Sequence, residues 1–396
     1  MSERPKDSNK RQIVIFTPTY TPYIGGAEIA ISQITQRLKQ NYSFSLLTPR
    51  YRNSLPKKEK IDAVNVYRLG IGLKIDKFLF PFLSPIMAKR LCRSSKNSLF
   101  WGIMASYGGI GAMIAKKITP GTKLVLTLQE GDEESHLYRY FWGSQRFYRL
   151  FLEPLQRLVY QKADTITAIS TWLIERAISK GVAKEKIVYI PNGVDIPKFQ
   201  KKHPESELKN LKVKHHLPET GCNYLITTSR LAQKNGLEDL IEAMQYIPYN
   251  DHLLILGSGE LEKKLKNLAE GLGLSNRIHF LGEIHPDQIP QYLQFSNIFI
   301  RASHSEGMGN SFLEAMAAGL PVIATPVGGI LDFLRNEENG LFCKVKNPRS
   351  ISQAVQKIER NPQLFKKLVE NGQKTIQQNY HWNTVAEKMN QVFKQL

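Results

Sequence analysis

Short apolar runs alternate with helix-patterned stretches along the whole chain, and that alternation predicts parallel sheets joined by crossover helices. In the first half IVIFTP (13–18) reads as a buried strand, followed by a glycine turn and a helix over 27–40. FSLLTP (44–49), VNVYRL (64–69), KLVLTL (123–128) and TITAIS (165–170) continue the strand series, and the last closes it. In the second half YLITTS (224–229), HLLILG (252–257), IHFLG (278–282), NIFIRAS (297–303), PVIAT (321–325) and GLFCK (340–344) repeat the scheme. Between the halves VYIPNGVDIPKF (188–199) collects Pro191, Asn192-Gly193 and Pro197, turn formers that mark a hinge. The polar, Lys/Glu-rich stretch 200–220 beyond it reads as helical or loose. At 396 residues the chain exceeds what one hydrophobic core usually serves. The expectation is two Rossmann-like domains, 1–197 and 198–375, with a closing helix over 376–396.

Composition changes this picture little: 42% hydrophobic and 22% charged residues are ordinary for a globular protein. The polar start MSERPKDSNKRQ runs directly into IVIF and carries no secretory signal, and no apolar run approaches the length of a membrane span. The longest greasy stretch, 78–87, is interrupted by Pro81 and Pro85. Cys92, Cys222 and Cys343 are far apart and lack metal-ligand spacing, which fits a reducing cytoplasm and no structural zinc. Charge adds more. Residues 1–197 hold 30 Lys and Arg against 15 Asp and Glu, whereas 198–396 hold 24 against 20. Such asymmetry points the first half toward a polyanion, a membrane surface or a nucleic acid, against the plainer reading of a solvated basic face.

Two glycine turns are candidates for phosphate contact. Gly25 and Gly26 follow the first strand and open a helix, where close backbone approach and unpaired N–H groups favour an anion. The same pair also serves as a plain connection. Leu256-Gly257-Ser258-Gly259-Glu260 has the position of a dinucleotide turn, but its third glycine would fall at Glu262, whose carboxylate repels a pyrophosphate. It reads as a structural turn with a contact to a base.

The sharpest stretch is SEGMGNSFLEAMAAGLPVIA (305–324). Glu306 stands at a strand end before a glycine loop, and Met308, Gly309, Asn310 and Ser311 present backbone N–H groups at a helix start. Glu314 follows about one turn into that helix. Two carboxylates so spaced suit two hydrogen-bond acceptors gripping hydroxyls of one ligand better than a two-carboxylate hydrolase. A lone Glu on a core helix is more often a salt-bridge partner; the combination is what counts.

Glu-x7-Glu with E-G-x-G and LEAMAAGLPVIA resembles the signature of the family 4 glycosyltransferases of GT-B fold, in which two Rossmann-like domains face a cleft. The resemblance extends to Gly25-Gly26, PNGVD (191–195) and SRLAQKNGLEDLIEA (229–243), and is weak over 50–160. It implies a retaining transfer from a nucleotide-sugar such as a UDP- or GDP-sugar, with no cofactor or metal. Glu306 would then hold donor-sugar hydroxyls, Glu314 the ribose, and Arg230 and Lys234 the diphosphate, aided by Gly25-Gly26. The closing helix would pack back on the first domain, and hinge closure would exclude water. No Asp-x-Asp motif of a metal-dependent design is present.

Two departures stand out. The usual Lys five residues after Arg is Asn235 here, with Lys234 one position earlier. Many relatives carry His-Gly-x-Asp after the strand matching KLVLTL, whereas this chain has Gln129-Glu130-Gly131-Asp132. Gln129 has no titratable proton and cannot be a general base; Glu130 and Asp132 become candidates for acceptor or sugar contacts. In the family the leaving phosphate is commonly viewed as taking the acceptor proton, so that a His is dispensable.

Residues 77–107 and 138–160 mix aromatics with Lys89, Arg90, Arg93, Arg139, Arg146 and Arg149. The expectation is an interfacial surface on anionic lipid, with a glycan or lipid-linked acceptor, at the inner face of the cell membrane. The alternative is a domain core with snorkelling arginines. No nucleic-acid module is recognisable. A sugar-nucleotide epimerase or phosphorylase on the same fold, or a non-catalytic basic binder, remain as alternative functions.

Overall fold

Each run read above as a strand overlaps one in the computed structural model, which describes residues 10–93, 97–129, 150 and 153–396. The chain divides into two units, 1–192 with 382–396 and 193–381. The first contains β1 (Arg11–Phe16), α1 (Gly26–Leu38), β2 (Tyr42–Pro49), β3 (Lys58–Ile61), β4 (Val64–Leu69) and α2 (Asp76–Cys92). It continues with β5 (Ser98–Ile103), α3 (Tyr107–Ile118), β6 (Lys123–Leu128), α4 (Glu153–Lys162), β7 (Thr165–Ala168), α5 (Thr171–Ser179) and β8 (Ile187–Tyr189). The second unit contains α6 (Ile196–Gln200), α7 (Glu205–Lys214), β9 (Asn223–Thr228), α8 (Leu237–Ala243), β10 (Asp251–Leu256), α9 (Glu262–Gly271) and β11 (Ile278–Gly282). It closes with α10 (Ile289–Gln294), β12 (Ile298–Arg301), α11 (Asn310–Ala318), β13 (Val322–Ala324), β14 (Leu341–Phe342), α12 (Pro348–Glu359) and α13 (Pro362–Asn379). The final helix, α14 (Trp382–Gln395), returns to the first unit.

The first sheet has the order β3-β4-β2-β1-β5-β6-β7-β8 and is parallel except for β3 against β4. The second, β11-β10-β9-β12-β13-β14, is parallel throughout. In each sheet the order reverses beside its first strand, between β1 and β5 and between β9 and β12. Ligands of open α/β sheets bind outside the carboxyl ends of the strands at such switch points.

Three strands escape the sequence reading. β5, SLFWGI, lies within the segment read as interfacial, yet every one of its residues is buried. It pairs with β1 and β6, and the Trp101 indole N–H donates to Thr127 Oγ1 at 2.7 Å. A buried central strand is apolar on both faces, so its aromatics carry no signal that separates core from interface. β3, KEKI, is a charged edge strand, which suppresses strand pattern for the sake of solubility. β8 pairs with β7 and lies in the hinge segment, so the series does not end at TITAIS.

The closing helix also differs from expectation. Instead of one helix over 376–396, α13 stops at Asn379 and α14 starts at Trp382. The Val194 N–H donates to the Tyr380 carbonyl at 2.8 Å and Val194 bridges His381, an extended pairing incompatible with continuous helix. The boundaries at 197 and 375 fall inside α6 and α13, and the division lies at Asn192/Gly193 and His381/Trp382. α14 places Trp382, Val385, Ala386, Met389, Val392 and Phe393 on one stripe against Ile13, Ile15, Trp101 and α1. Fully burying each large side chain is worth about 1.5–3 kcal/mol. Arg11 Nη1 to the Phe393 carbonyl at 2.6 Å and Tyr42 Oη to Asn390 Oδ1 at 2.9 Å fix its register.

Candidate active site

The switch point of the second unit brings together the loop after β9 and the loop after β12. β12 ends in Arg301, a charge at the tip of an apolar strand, only 9% exposed. Its Nη2 donates to Glu306 Oε2 at 2.5 Å and to Asn235 Oδ1 at 2.7 Å, and its Nη1 to Ser311 Oγ at 2.9 Å. The guanidinium carbon lies 5.6 Å from the Phe312 ring centroid. Glu306, 8% exposed, therefore sits in a loop beyond the strand rather than at its end, held by an ion pair. Its Oε1 accepts from the Gly307 N–H at 3.1 Å. The Glu306 carbonyl is gripped in turn by the Gly329 N–H at 3.1 Å. Gly328 has φ +54°, and a Cβ there would meet that carbonyl oxygen at 1.9 Å, so only glycine fits.

Gly309 has φ +87° and caps α11, with Met308 buried before it and Asn310 and Ser311 opening the first turn. The dipole of α11 favours an anion or a hydroxyl oxygen at this end. Glu314 follows on α11, partly accessible yet enclosed by protein. Desolvation pushes its carboxyl up to about 7, against the opposing fields of Lys198 and Arg301. Lys198 stands on α6, which packs beside α11, and pairs with Asp287 at 2.7 Å. A carboxyl at this balance gains most from hydroxyl donors that stabilise its charged form.

Arg230 is exposed just beyond β9, its chain held by neighbours: Leu231 N–H donates to the Ser258 carbonyl at 2.9 Å and Ala232 N–H to the Arg230 carbonyl at 2.8 Å. Cβ atoms at Gly257 and Gly259 would meet the Ser229 and Leu231 carbonyl oxygens at 2.0 and 2.4 Å. The glycines at 257 and 259 thus serve close packing onto this loop, the structural role read from the sequence. Lys234 is half-buried in a short 3-10 turn, and its carbonyl accepts from the His304 N–H at 2.7 Å. His304 Nε2 pairs with Asp239 Oδ2 at 2.6 Å. Asn235 is buried, and its Nδ2 donates to the Arg230 carbonyl at 2.6 Å while its Oδ1 receives Arg301. The position where relatives carry Lys is thus spent on an internal network, and Lys234 is the nearby surface cation.

In the first unit, the Gly25-Gly26 turn is exposed and opens α1. A carboxylate already stands there: Glu28 Oε2 accepts from the Gly25 N–H at 2.9 Å and Oε1 from Thr19 Oγ1. Burial raises the Glu28 carboxyl above its ordinary range despite these donors. Gln129 and Asn192 exchange side-chain amide hydrogen bonds at 3.2 and 3.3 Å, tying the end of β6 to the start of the hinge segment. Glu130 and Asp132 lie outside the described residues, as do 138–149 and 151–152 of the second aromatic segment.

α2 runs through Pro81 and Pro85, both buried on its inner side with Phe80 and Ala88. Its outer side carries Phe78 (52% exposed), Leu79, Phe82 (68%), Leu83 and Ile86 (53%), then Lys89, Arg90 and Arg93. Ile71, Leu73 and Ile75 extend this face on the preceding loop, beside Lys74. The segment read as one surface is thus two things, an exposed helix face and the buried strand β5. Among the described residues no group of three or more His, Cys, Asp or Glu could hold a metal ion, and no helix is long and apolar enough to cross a membrane.

Arg301, the His304–Asp239 pair and Gly328-Gly329 were not singled out from the sequence. Arg301 did leave a signal, a charge closing a buried strand five residues before Glu306. The others required tertiary contacts.

Comparison with known proteins agrees with this layout. The model for glycosyl transferases group 1 matches residues 209–375, and that for glycosyltransferase family 4 matches residues 24–198. An uncharacterised glycosyltransferase of Methanocaldococcus jannaschii is 25% identical over 98% of this chain and 99% of its own. A GDP-mannose-dependent alpha-(1-6)-phosphatidylinositol monomannoside mannosyltransferase of Mycobacterium tuberculosis is 25% identical over 96% of this chain and 97% of its own. The crystal structure of HepE from Anabaena, in complex with UDP and glucose, superposes with a TM-score of 0.79 at 20% identity, covering 98% of this chain and all (100%) of that one.

Proposed function

This chain is a family 4 glycosyltransferase of the GT-B fold, and we propose that it is a retaining, metal-independent enzyme that moves a hexose from a UDP- or GDP-sugar to a glycan or lipid-linked acceptor. The observation that carries this reading is one switch point holding an oriented carboxylate (Glu306), a second carboxyl poised to ionise (Glu314) and an exposed guanidinium (Arg230). Glu306 accepts donor-sugar hydroxyls, Glu314 the ribose hydroxyls, and the N-terminus of α11 a phosphate or sugar oxygen. Arg230 and Lys234 neutralise the diphosphate as the anomeric carbon–oxygen bond breaks. The acceptor hydroxyl oxygen bonds to the anomeric carbon on the same face, and its proton passes to the leaving phosphate oxygen. No side-chain base is needed, which accords with Gln129 where relatives carry His. Glu28 already occupies the Gly25 N–H, so that turn acts on a phosphate only through N–H groups its carboxylate leaves open.

The test is calorimetric titration of UDP, GDP and their common sugar conjugates, in EDTA, against wild type, Arg230→Ala and Glu314→Ala. Micromolar binding of one nucleoside diphosphate, weakened by both substitutions, supports the reading; no binding to any of them overturns it.

The exposed face of α2 supports association with an anionic membrane surface at the cytoplasmic side, where a lipid-linked acceptor is presented. Phe78, Phe82 and Ile86 enter the headgroup region, and Lys89, Arg90 and Arg93 meet lipid phosphates at about 1 kcal/mol each. Co-sedimentation with phosphatidylglycerol vesicles should fall on Phe82→Glu and on raised salt. Equal binding to phosphatidylcholine vesicles, or no effect of Phe82→Glu, defeats this assignment.

A further inference from the structure

We propose that Arg301 is the positioning residue of the transfer reaction, holding the Glu306 side chain aimed while tying it to the Arg230 loop; this rests on the donor-site reading above. Glu306 is a carboxylate taken almost wholly out of water. Arg301 supplies the opposite charge within hydrogen-bond distance, and its fork reaches two loops and a helix at once. Nη2 spans Glu306 and Asn235, Asn235 passes the constraint to the Arg230 carbonyl, and Nη1 reaches Ser311 on the first turn of α11.

The geometry leaves Glu306 with its Oε2 on Arg301 and its Oε1 on its neighbour's N–H, so rotation of the carboxylate plane is fixed at both oxygens. Each oxygen retains a lone pair for a ligand hydroxyl. A lysine would keep the charge without the planar fork, and so could not span Glu306, Asn235 and Ser311 together. Arg301 also lowers the Glu314 carboxyl through space. One buried guanidinium thus acts on both carboxylates of the Glu-x7-Glu pair. The other charged groups around this switch point are Lys198, Arg230, Lys234 and the His304–Asp239 pair.

The experiment is a double-mutant cycle on the full chain with Arg301→Met, Glu306→Gln and the two combined. Two quantities are read: the rate of UDP release from UDP-glucose or GDP release from GDP-mannose, and the affinity for UDP or GDP alone. Each single substitution is expected to lower turnover by about 10²-fold, and the double no further than the worse single, because both remove one unit. The nucleoside diphosphate, which lacks the sugar, should bind Glu306→Gln within about threefold of wild type, while Arg301→Met, which also touches Glu314 and the Arg230 loop, should weaken it far less than it lowers turnover. Arg301→Lys should recover part of the turnover.

Losses that multiply in the double variant overturn the proposal, as does turnover within threefold of wild type in Arg301→Met. Nucleotide affinity falling in step with turnover also overturns it, since that marks collapse of the site rather than loss of aim. If Arg301→Met does not fold, the same cycle with Arg301→Lys decides between coupling and additivity. A wild type inert toward every donor refutes the transferase reading itself, an outcome separate from these.

Discussion

Donor binding should weaken on acidification through Glu314. Its carboxyl stands at about 7 in the empty site, because burial outweighs the fields of Lys198 and Arg301. In the proposed role of Glu314, ribose hydroxyls donate to the charged form, so the complex needs the proton gone. The apparent dissociation constant then carries a factor of one plus the protonated-to-ionised ratio. That factor is about 1.1 at pH 8, about 2 at pH 7 and about 11 at pH 6. Between pH 8 and pH 6 the affinity drops about tenfold, or about 1.4 kcal/mol. The assay is calorimetry with UDP-glucose or GDP-mannose from pH 5.5 to 8.5, since a nucleotide-sugar lacks the terminal phosphate that titrates near pH 6 in a free nucleoside diphosphate. Glu314→Gln should bind more weakly but without the slope. Glu359, also pushed up to about 7 by burial and by Asp251, sits by the opposite strand ends next to Asn223, and Glu359→Gln should leave the slope unchanged. A flat wild-type profile, or a slope that survives Glu314→Gln, refutes the argument.

The same carboxyl makes a prediction for stability. Between pH 4.5 and 7 the folded chain holds a proton on Glu314 that the unfolded chain has released, so its contribution falls as pH rises through that window. The ionised group costs up to about 3 kcal/mol above pH 7, and Glu314→Gln should melt a few degrees higher than wild type at pH 8 but not at pH 4.5; equal melting shifts at both would remove that explanation. Gly328→Ala should cut turnover by at least about 10²-fold while the circular dichroism stays native, because the new Cβ displaces the Glu306 carbonyl. Wild-type activity in this variant would mean the glycine turn does not position Glu306. Asn235→Lys, which restores the residue type of the relatives, should destabilise the fold by about 3–5 kcal/mol by burying an ammonium against Arg301. Denaturant unfolding at the wild-type midpoint would show that this network yields easily.

Much of this protein was legible before any contact was known. Strands such as VNVYRL and KLVLTL were bounded to the residue, because a strand buried in a parallel sheet announces itself as a bounded apolar run. Glu306 and Glu314 stood out as candidates because a glycine loop opening a helix is a local device, written in consecutive residues. β5 was misjudged because apolar aromatic residues look alike whether they face a core or a bilayer. α2 exposes aromatics and arginines along its outer side, and its prolines do not break it.

Sequence alone, then, determined the architecture, the family and the places of the two carboxylates of the Glu-x7-Glu pair, since each depends on neighbours within a turn or a strand. Tertiary structure decided what those groups are able to do. Asn235 became an internal brace and Lys234 the surface cation because Arg301, distant in sequence, competes for the amide. Glu306 is aimed because the same guanidinium bonds it, and Glu314 is pushed up to about 7 because protein encloses it. Desolvation and counter-charge are set by what surrounds a group in three dimensions, and no local spacing encodes them.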